Sequence, residues 1–179
     1  SEMCIRDRSG DVMNIKKIRV DKEGAGMGWG AVYAQYLESM DQISGQGNGL
    51  SVSRQLYKGD EALNESAPLK VGDKITVRLT IKADRDMDFV QIKDDRAACM
   101  EPLQAVSGFR WSNGLGYYQA TKDASTQFFI DQMRKGTYVI EYQVYVNRTG
   151  EYQAGIATVQ SAYAPEFGGH TGGYRVMVE

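Results

Sequence analysis

The sequence predicts an all-β chain built as an antiparallel, Greek-key β-sandwich, on three observations. Apolar and polar residues alternate with period two over several long runs, the pattern of strands with one buried and one solvated face. Turn signals punctuate those runs at short intervals: Val71-Gly72-Asp73, Arg134-Lys135-Gly136, Arg148-Thr149-Gly150 and Gly168-Gly169. The 11 tyrosines weigh the composition toward strands, and no helical stretch longer than about ten residues stands out.

The first element to justify lies at residues 9–43. "GAGMGWGA" (Gly24 to Ala31) follows the alternating run "IKKIRVDK", and Gly26, Gly28 and Ala31 fit the spacing of a dinucleotide-binding turn. Such a fold needs a following helix and further βα units. Everything after residue 48 reads as β, so the glycines are expected to make a turn between two antiparallel strands. "SGQGN" then supplies a linker over 44–48, and 49–179 forms the sandwich.

Within the sandwich, "KITVRLTIK" sends Ile75, Val77, Leu79 and Ile81 inward and Lys74, Thr76, Arg78, Thr80 and Lys82 outward. "TYVIEYQVYV" places Tyr138, Ile140, Tyr142, Val144 and Val146 on one face. "GYRVMV" sets Tyr174, Val176 and Val178 against Arg175 and Met177. Shorter strands are expected in "LSVSRQLY", "DFVQIKD", "TQFFID" and "ATVQSAY". Tyr138 stands just after a glycine turn at the start of a long strand. A tyrosine there folds its hydroxyl back onto upstream backbone, so Tyr138 is expected to be a structural tyrosine corner.

Several function classes are disfavoured. The net charge is -2, with no basic block to form a nucleic-acid footprint. No apolar run reaches transmembrane length, so any membrane attachment would come from an anchor elsewhere. The start, "SEMCIRDRSG", has no apolar signal core. "MCIRDR" matches an in-frame reading of a transposase mosaic-end sequence, so residues 1–8 are expected to be non-native adapter read-through, and the native chain to continue upstream. That leaves Cys99 as the native cysteine, expected as a small buried apolar residue, with His170 the sole histidine. "DRDMDFVQIKDD" counts like a calcium loop through Asp84, Asp86, Asp88 and Asp95, but Phe89 stands where the sharp turn needs glycine. No metal, no cofactor and no catalytic constellation is expected, so the chain is not expected to be an enzyme.

Two surfaces remain as candidate sites. "SGFRWSNGLGYYQAT" carries Phe109, Trp111, Tyr117 and Tyr118, aromatics suited to stacking on a glycan or a protein from a loop over 107–118. A free-standing surface sandwich that binds through that loop is one functional reading.

The other surface rests on a resemblance. In "TQFFIDQMRKGTYVIEYQVYVNRTGEYQAGIATVQSAYAPEFGGHTGG", Phe128 and Phe129 precede Gly136-Thr137-Tyr138. A long strand with Tyr142 follows, then Gly150 with Tyr152, then Tyr163-Ala164-Pro165-Glu166. Upstream stand Glu101-Pro102 and the entry strands "LYKGDEALNESAPLKVGDKITVRLTIKA". Together these resemble the C-terminal macroglobulin (MG10-like) domain of bacterial alpha-2-macroglobulins, and "RWSNGLGYYQ" and "AYAPEFG" are similar to Bacteroidetes versions. The resemblance covers residues 49–179, and 9–43 resembles the strand pair that follows the thioester domain.

It implies a non-catalytic module of a large protease-trapping inhibitor in the periplasm or cell envelope of a Gram-negative bacterium. Its partners would be the thioester domain of its own chain and, through the whole molecule, target proteases. It further implies that Tyr163, with Pro165 and Glu166, forms the interdomain contact that shields a thioester from water. Two departures stand out: Ala162 where the family often has methionine, and Gly155-Ile156 where it often has proline.

Overall fold

A computed structural model describes residues 21–29, 37, 39–64 and 67–179. The chain divides into two compact units, Ser1–Leu37 and Glu38–Glu179. In the first, residues 24–26 form a bend in which Gly24 and Gly26 take φ of 89° and 119°, a conformation that disfavours any side chain. Most of the expected strand pair, and the expected adapter segment 1–8, lie outside the described residues.

After a 3-10 turn at Met40–Gln42, the regular elements of the second unit's described residues are all strands. In chain order these are β1 (Gln46–Asn48), β2 (Leu50–Lys58), β3 (Glu61–Ala62), β4 (Lys74–Ala83), β5 (Met87–Asp95), β6 (Met100–Pro102) and β7 (Gly108–Ser112). There follow β8 (Leu115–Thr121), β9 (Ser125–Met133), β10 (Gly136–Val146), β11 (Gly150–Ala154), β12 (Ala157–Ser161), β13 (Gly168–His170) and β14 (Tyr174–Val178). All of their pairings are antiparallel.

Two layers form the sandwich. One runs β6-β10-β4-β2, with β3 on β2; the other runs β13-β12-β5-β9-β8-β7. The period-two pattern decides which faces meet. Ile75, Val77, Leu79 and Ile81 of β4 are buried, as are Ile140, Tyr142, Val144 and Val146 of β10. The facing layer contributes Val90 and Ile92 from β5, and Phe128 and Ile130 from β9. Phe128 and Tyr142 meet across the layers with ring centroids 5.9 Å apart. Each such apolar side chain contributes roughly 1.5–3 kcal/mol of burial free energy.

Polar groups also cross the core. Arg54 of β2 pairs with Asp94 of β5, and Tyr142 Oη donates to the other Asp94 oxygen at 2.7 Å. A second Arg54 nitrogen donates to the Gly155 carbonyl at 2.6 Å, and the guanidinium lies 4.6 Å from the centre of the Tyr174 ring. A buried charge persists when paired and hydrogen-bonded in this way.

The layers are joined at one side through backbone pairing. Strand β1, inside the segment read from sequence as a linker, pairs with β13 through Gln46↔His170 and Asn48↔Gly168, and reaches β2 at Asn48↔Leu50. Glycine is required for this crossing: a Cβ on Gly169 would sit 2.7 Å from the Gln46 and Leu50 carbonyl oxygens. Gly155, one of the departures from the family pattern, is likewise fixed by its neighbour, because a Cβ there would lie 2.4 Å from Asp95 Cβ. The last strand, β14, pairs with β11 as a separate two-stranded sheet and is bridged in parallel to Leu69.

Candidate functional site

Strands β12 and β13 are joined by a tip at 162–167. Ser161 N donates to the Phe167 carbonyl at 3.0 Å, and Phe167 N closes a tight turn on the Ala164 carbonyl at 2.9 Å. The Asn48 amide holds the Glu166 carbonyl at 2.7 Å, and Gln160 holds that of Pro165 at 3.2 Å. Phe167 turns back under the tip, with the Arg85 guanidinium 4.6 Å from its ring centre. Tyr163, Pro165 and Glu166 are left together on the solvent side, and Tyr163 is 79% exposed.

Tyr163 is nonetheless held. Its ring meets Phe89 edge-on, centroids 5.0 Å apart and planes at 86°. The Phe89 carbonyl also accepts a hydrogen bond from Ala162 N at 2.9 Å. Phe89 takes φ of 52°, uncommon for a bulky side chain. It falls where the β5–β9 register skips from Asp88↔Gln132 to Val90↔Ile130. This local distortion aims the Phe89 ring and carbonyl at the tip. Nothing in the residue pattern of "DFVQIKD" signals it.

The second candidate surface differs from its sequence reading. Residues 108–121 form a hairpin, β7–β8, rather than a loop. Asn113 and Gly114 take φ of 50° and 78°, the two-residue turn that suits twisted strands. Strand alternation then separates the adjacent tyrosines. Tyr118 faces out, whereas Tyr117 is 4% exposed and packs edge-on against Phe128 at 5.7 Å. Tyr117 therefore belongs to the core and not to a partner surface.

What faces out is a cross-strand row: Phe109↔Tyr118, Tyr118↔Phe129, Phe129↔Gln91 and Gln91↔Gln160. Phe129 and Gln91 join the surface from strands that the sequence reading did not connect to the hairpin. Phe109 and Tyr118 meet edge-on at 5.2 Å. Trp111 lies across Gly116, where a Cβ would come within 2.7 Å of the indole. Between this hairpin and Phe89 runs an open groove of about 1060 Å³, lined also by Asp131 and Tyr138. Phe89 thus touches both the tip and the groove.

Other chemical groups do not converge. Cys99 is buried, and burial pushes its thiol up, away from the reactive thiolate. His170 Nδ1 lies 3.1 Å from the Thr171 carbonyl. Among the described residues no group of three His, Cys, Asp or Glu side chains is placed to hold a metal ion. Tyr138 Oη donates to the Arg134 carbonyl at 3.0 Å, four residues upstream. A second cavity, about 390 Å³, lies beside Arg54, Leu56, Leu63 and Tyr174. Its one buried charge is already occupied by Asp94 and backbone carbonyls.

The chain matches the family described as the bacterial alpha-2-macroglobulin MG10 domain over residues 49–166. Solved structures show the same fold. Salmonella alpha-2-macroglobulin reacted with methylamine aligns at TM-score 0.62 and 19% identity, over 75% of this chain and 10% of that one. Escherichia coli alpha-2-macroglobulin activated by porcine elastase aligns at TM-score 0.65 and 15% identity, over 76% and 14%. A native E. coli structure spanning MG7 to the C-terminus gives 0.63 and 16%, over 75% and 24%. Among curated proteins, Circularly permutated Ras protein 2 of Dictyostelium discoideum is 28% identical over 138 residues, 73% of this chain. The chain spans only 4% of that protein's length.

Proposed function

The chain belongs to the bacterial alpha-2-macroglobulin MG10 domain family, and from that premise we propose that it is a non-catalytic docking module of a protease-trapping inhibitor, working in the periplasm or cell envelope of a Gram-negative bacterium. Its task is to hold the resting state by pressing the 162–167 tip onto the thioester domain of the same polypeptide. Target proteases meet the whole molecule rather than this module.

The observation that carries the reading is Tyr163: a large, half-polar ring, 79% exposed, yet fixed by Phe89 and by a tip stapled at both ends. An exposed aromatic that is pre-ordered loses little freedom on docking. An activated acyl bond persists where water is kept out, and a rigid ring seals such a site better than a mobile one. Pro165 and Glu166 stand beside it as flanking contacts. The structural relatives are described as reacted with methylamine and as activated by porcine elastase, which supports a protease-responsive parent molecule.

The test is Tyr163→Ala in the complete parent protein, with loss of amine-reactive thioester followed over time. Faster decay is expected. An unchanged rate removes Tyr163 from the shielding role. A second reading, in which the sandwich binds a ligand of its own, is favoured by one separate observation: the outward aromatic row on β7, β8 and β9.

A further inference from the structure

The turn between β4 and β5 is the acidic segment that counts like a calcium loop, but its carboxylates are committed elsewhere. Asp84 accepts from the Arg85 guanidinium at 2.8 and 3.2 Å, and Asp86 accepts from Lys135 N at 2.7 Å. Held in this way, the segment meets the 162–167 tip twice. Arg85 lies over the Phe167 ring, which is seated against Gly49, where a Cβ would come within 2.7 Å of it. Phe89 meets Tyr163 edge-on and accepts from Ala162 N. Phe89 also stands at a break in alternation. On β5, Asp88 and Phe89 both face out between buried Met87 and Val90; on β9, Asp131 and Gln132 do so between buried Ile130 and Met133. Regular pleating places one outward residue between inward neighbours, not two. Asparagine or glycine would serve such a break at φ of 52° with less strain, yet the position carries a phenylalanine, half exposed. Strained backbone of this kind collects where a side chain must be aimed.

We propose that residues 84–89 form the positioning element of the tip and that Phe89 is the positioning residue for Tyr163, fixing the ring orientation that the thioester domain meets. The proposal rests on the shielding reading of Tyr163 only for what the ring is presented to; the positioning itself is a property of this chain. Tyr163 needs the support. Its ring is 79% exposed, and the tip's own backbone bonds, Ser161 to Phe167 and Phe167 to Ala164, fix the loop but not the side chain. A tyrosine ring turns about two side-chain torsions, and an edge-on partner at 5.0 Å favours one combination of them. Phe89 acts through its carbonyl and its ring together: the hydrogen bond from Ala162 sets the residue before Tyr163, and the ring sets Tyr163 itself. Arg85 and Phe167 brace the far end of the same tip.

The test has two arms. In the 179-residue chain, NMR of isotopically labelled tyrosine rings follows Tyr163 directly, its signals assigned by their loss in Tyr163→Phe. Phe89→Gly suits the left-handed backbone and removes only the ring. It should move the Tyr163 resonances toward free-tyrosine positions and lower their order, whereas Phe89→Tyr should leave both near the parent. Phe89→Leu, which keeps bulk without a ring, should behave as Phe89→Gly does. Tyr163 resonances unmoved by Phe89→Gly and Phe89→Leu overturn the proposal. In the complete parent protein, Phe89→Gly should speed thioester loss about two- to tenfold, the scale of one edge-on aromatic pair, and Phe89→Tyr should keep the parent rate. Phe89→Gly combined with Tyr163→Ala should decay no faster than Tyr163→Ala alone. Fast decay in Tyr163→Ala with parental decay in Phe89→Gly overturns the positioning and leaves the shield standing. Shifted Tyr163 resonances with parental decay in Tyr163→Ala support the positioning and remove the shield.

Discussion

Arg54 and Asp94 form a salt bridge between the two layers with almost no solvent access, their side chains 5% and 1% exposed. Each is costly to bury alone, and each is stabilised by the other and by Tyr142, Gly155 and Asp95. Asp94→Ala should therefore destabilise the chain by roughly 3–5 kcal/mol, because it strands a buried guanidinium. Urea unfolding of Asp94→Ala, Arg54→Met and the double variant measures this. The double variant should unfold at higher urea than Asp94→Ala; equal midpoints would show that the stranded charge is not the cause.

The same cluster predicts an alkaline limit. Burial pushes the Tyr174 hydroxyl up to about 12 from its ordinary 10.0, and burial beside Asp94 raises Tyr142 as well. The folded state therefore holds these protons more tightly than the unfolded chain does. The stability that Tyr174 confers is complete below pH 10 and is lost as pH rises from there toward 12. Tyr174→Phe keeps the ring over Arg54 and removes one titration. Its melting temperature should fall less steeply above pH 10 than that of the parent.

Acid should act through Asp73. Its carboxylate accepts from Lys58 Nζ at 2.7 Å and from Lys70 N at 3.0 Å, and the Lys58 contact leads in holding its pKa below the usual carboxylate value. Stability from this group is present above the unfolded pKa and lost as pH falls through the lower folded value. Asp73→Asn should flatten the acid limb of the stability profile, while its effect at pH 7 stays within about 1 kcal/mol because the ion pair lies at the surface.

Backbone fit sets a further limit at the crossing of β1 and β13. Gly169→Ala would drive a methyl group to 2.7 Å from two carbonyl oxygens that belong to paired strands and have no side chain to swing aside. A loss of roughly 1–3 kcal/mol is expected. Gly108→Ala, at a position with open space around it, is the control and should change the melting temperature little.

Phe89 should show a different balance. Its left-handed backbone costs roughly 1–2 kcal/mol, and its ring is half exposed. Phe89→Gly should leave calorimetric stability within about 1 kcal/mol of the parent. By contrast, Ile92→Ala on the same strand, fully buried, should cost about 2–5 kcal/mol. A large loss on Phe89→Gly would show that the ring anchors the core and not the tip.

Much of the sandwich was legible in the residues because its long strands alternate. The inward residues of β4 and β10 follow directly from "KITVRLTIK" and "TYVIEYQVYV". Strands β1 and β13 were not legible, because "QGN" and "GGH" carry too few side chains to alternate, and backbone clearance determines their pairing. The β7–β8 hairpin had a signal in Asn113-Gly114, and strand alternation between Tyr117 and Tyr118 would have sent one of them inward. The Arg54–Asp94 pair joins residues 40 positions apart, and the contact of Phe89 with Tyr163 joins two still farther apart, with no local pattern at either end.

The β1–β13 pairing also constrains the order of assembly. Its two halves lie about 120 residues apart, and closing so large a loop is entropically slow. On a ribosome, β1 emerges before most of the domain, and its β13 partner is made only when nearly the whole domain has been synthesised. The seam between the layers is therefore among the late pairings to close during biogenesis, and a nascent chain stalled before residue 168 would expose an open-sided intermediate to chaperones and proteases.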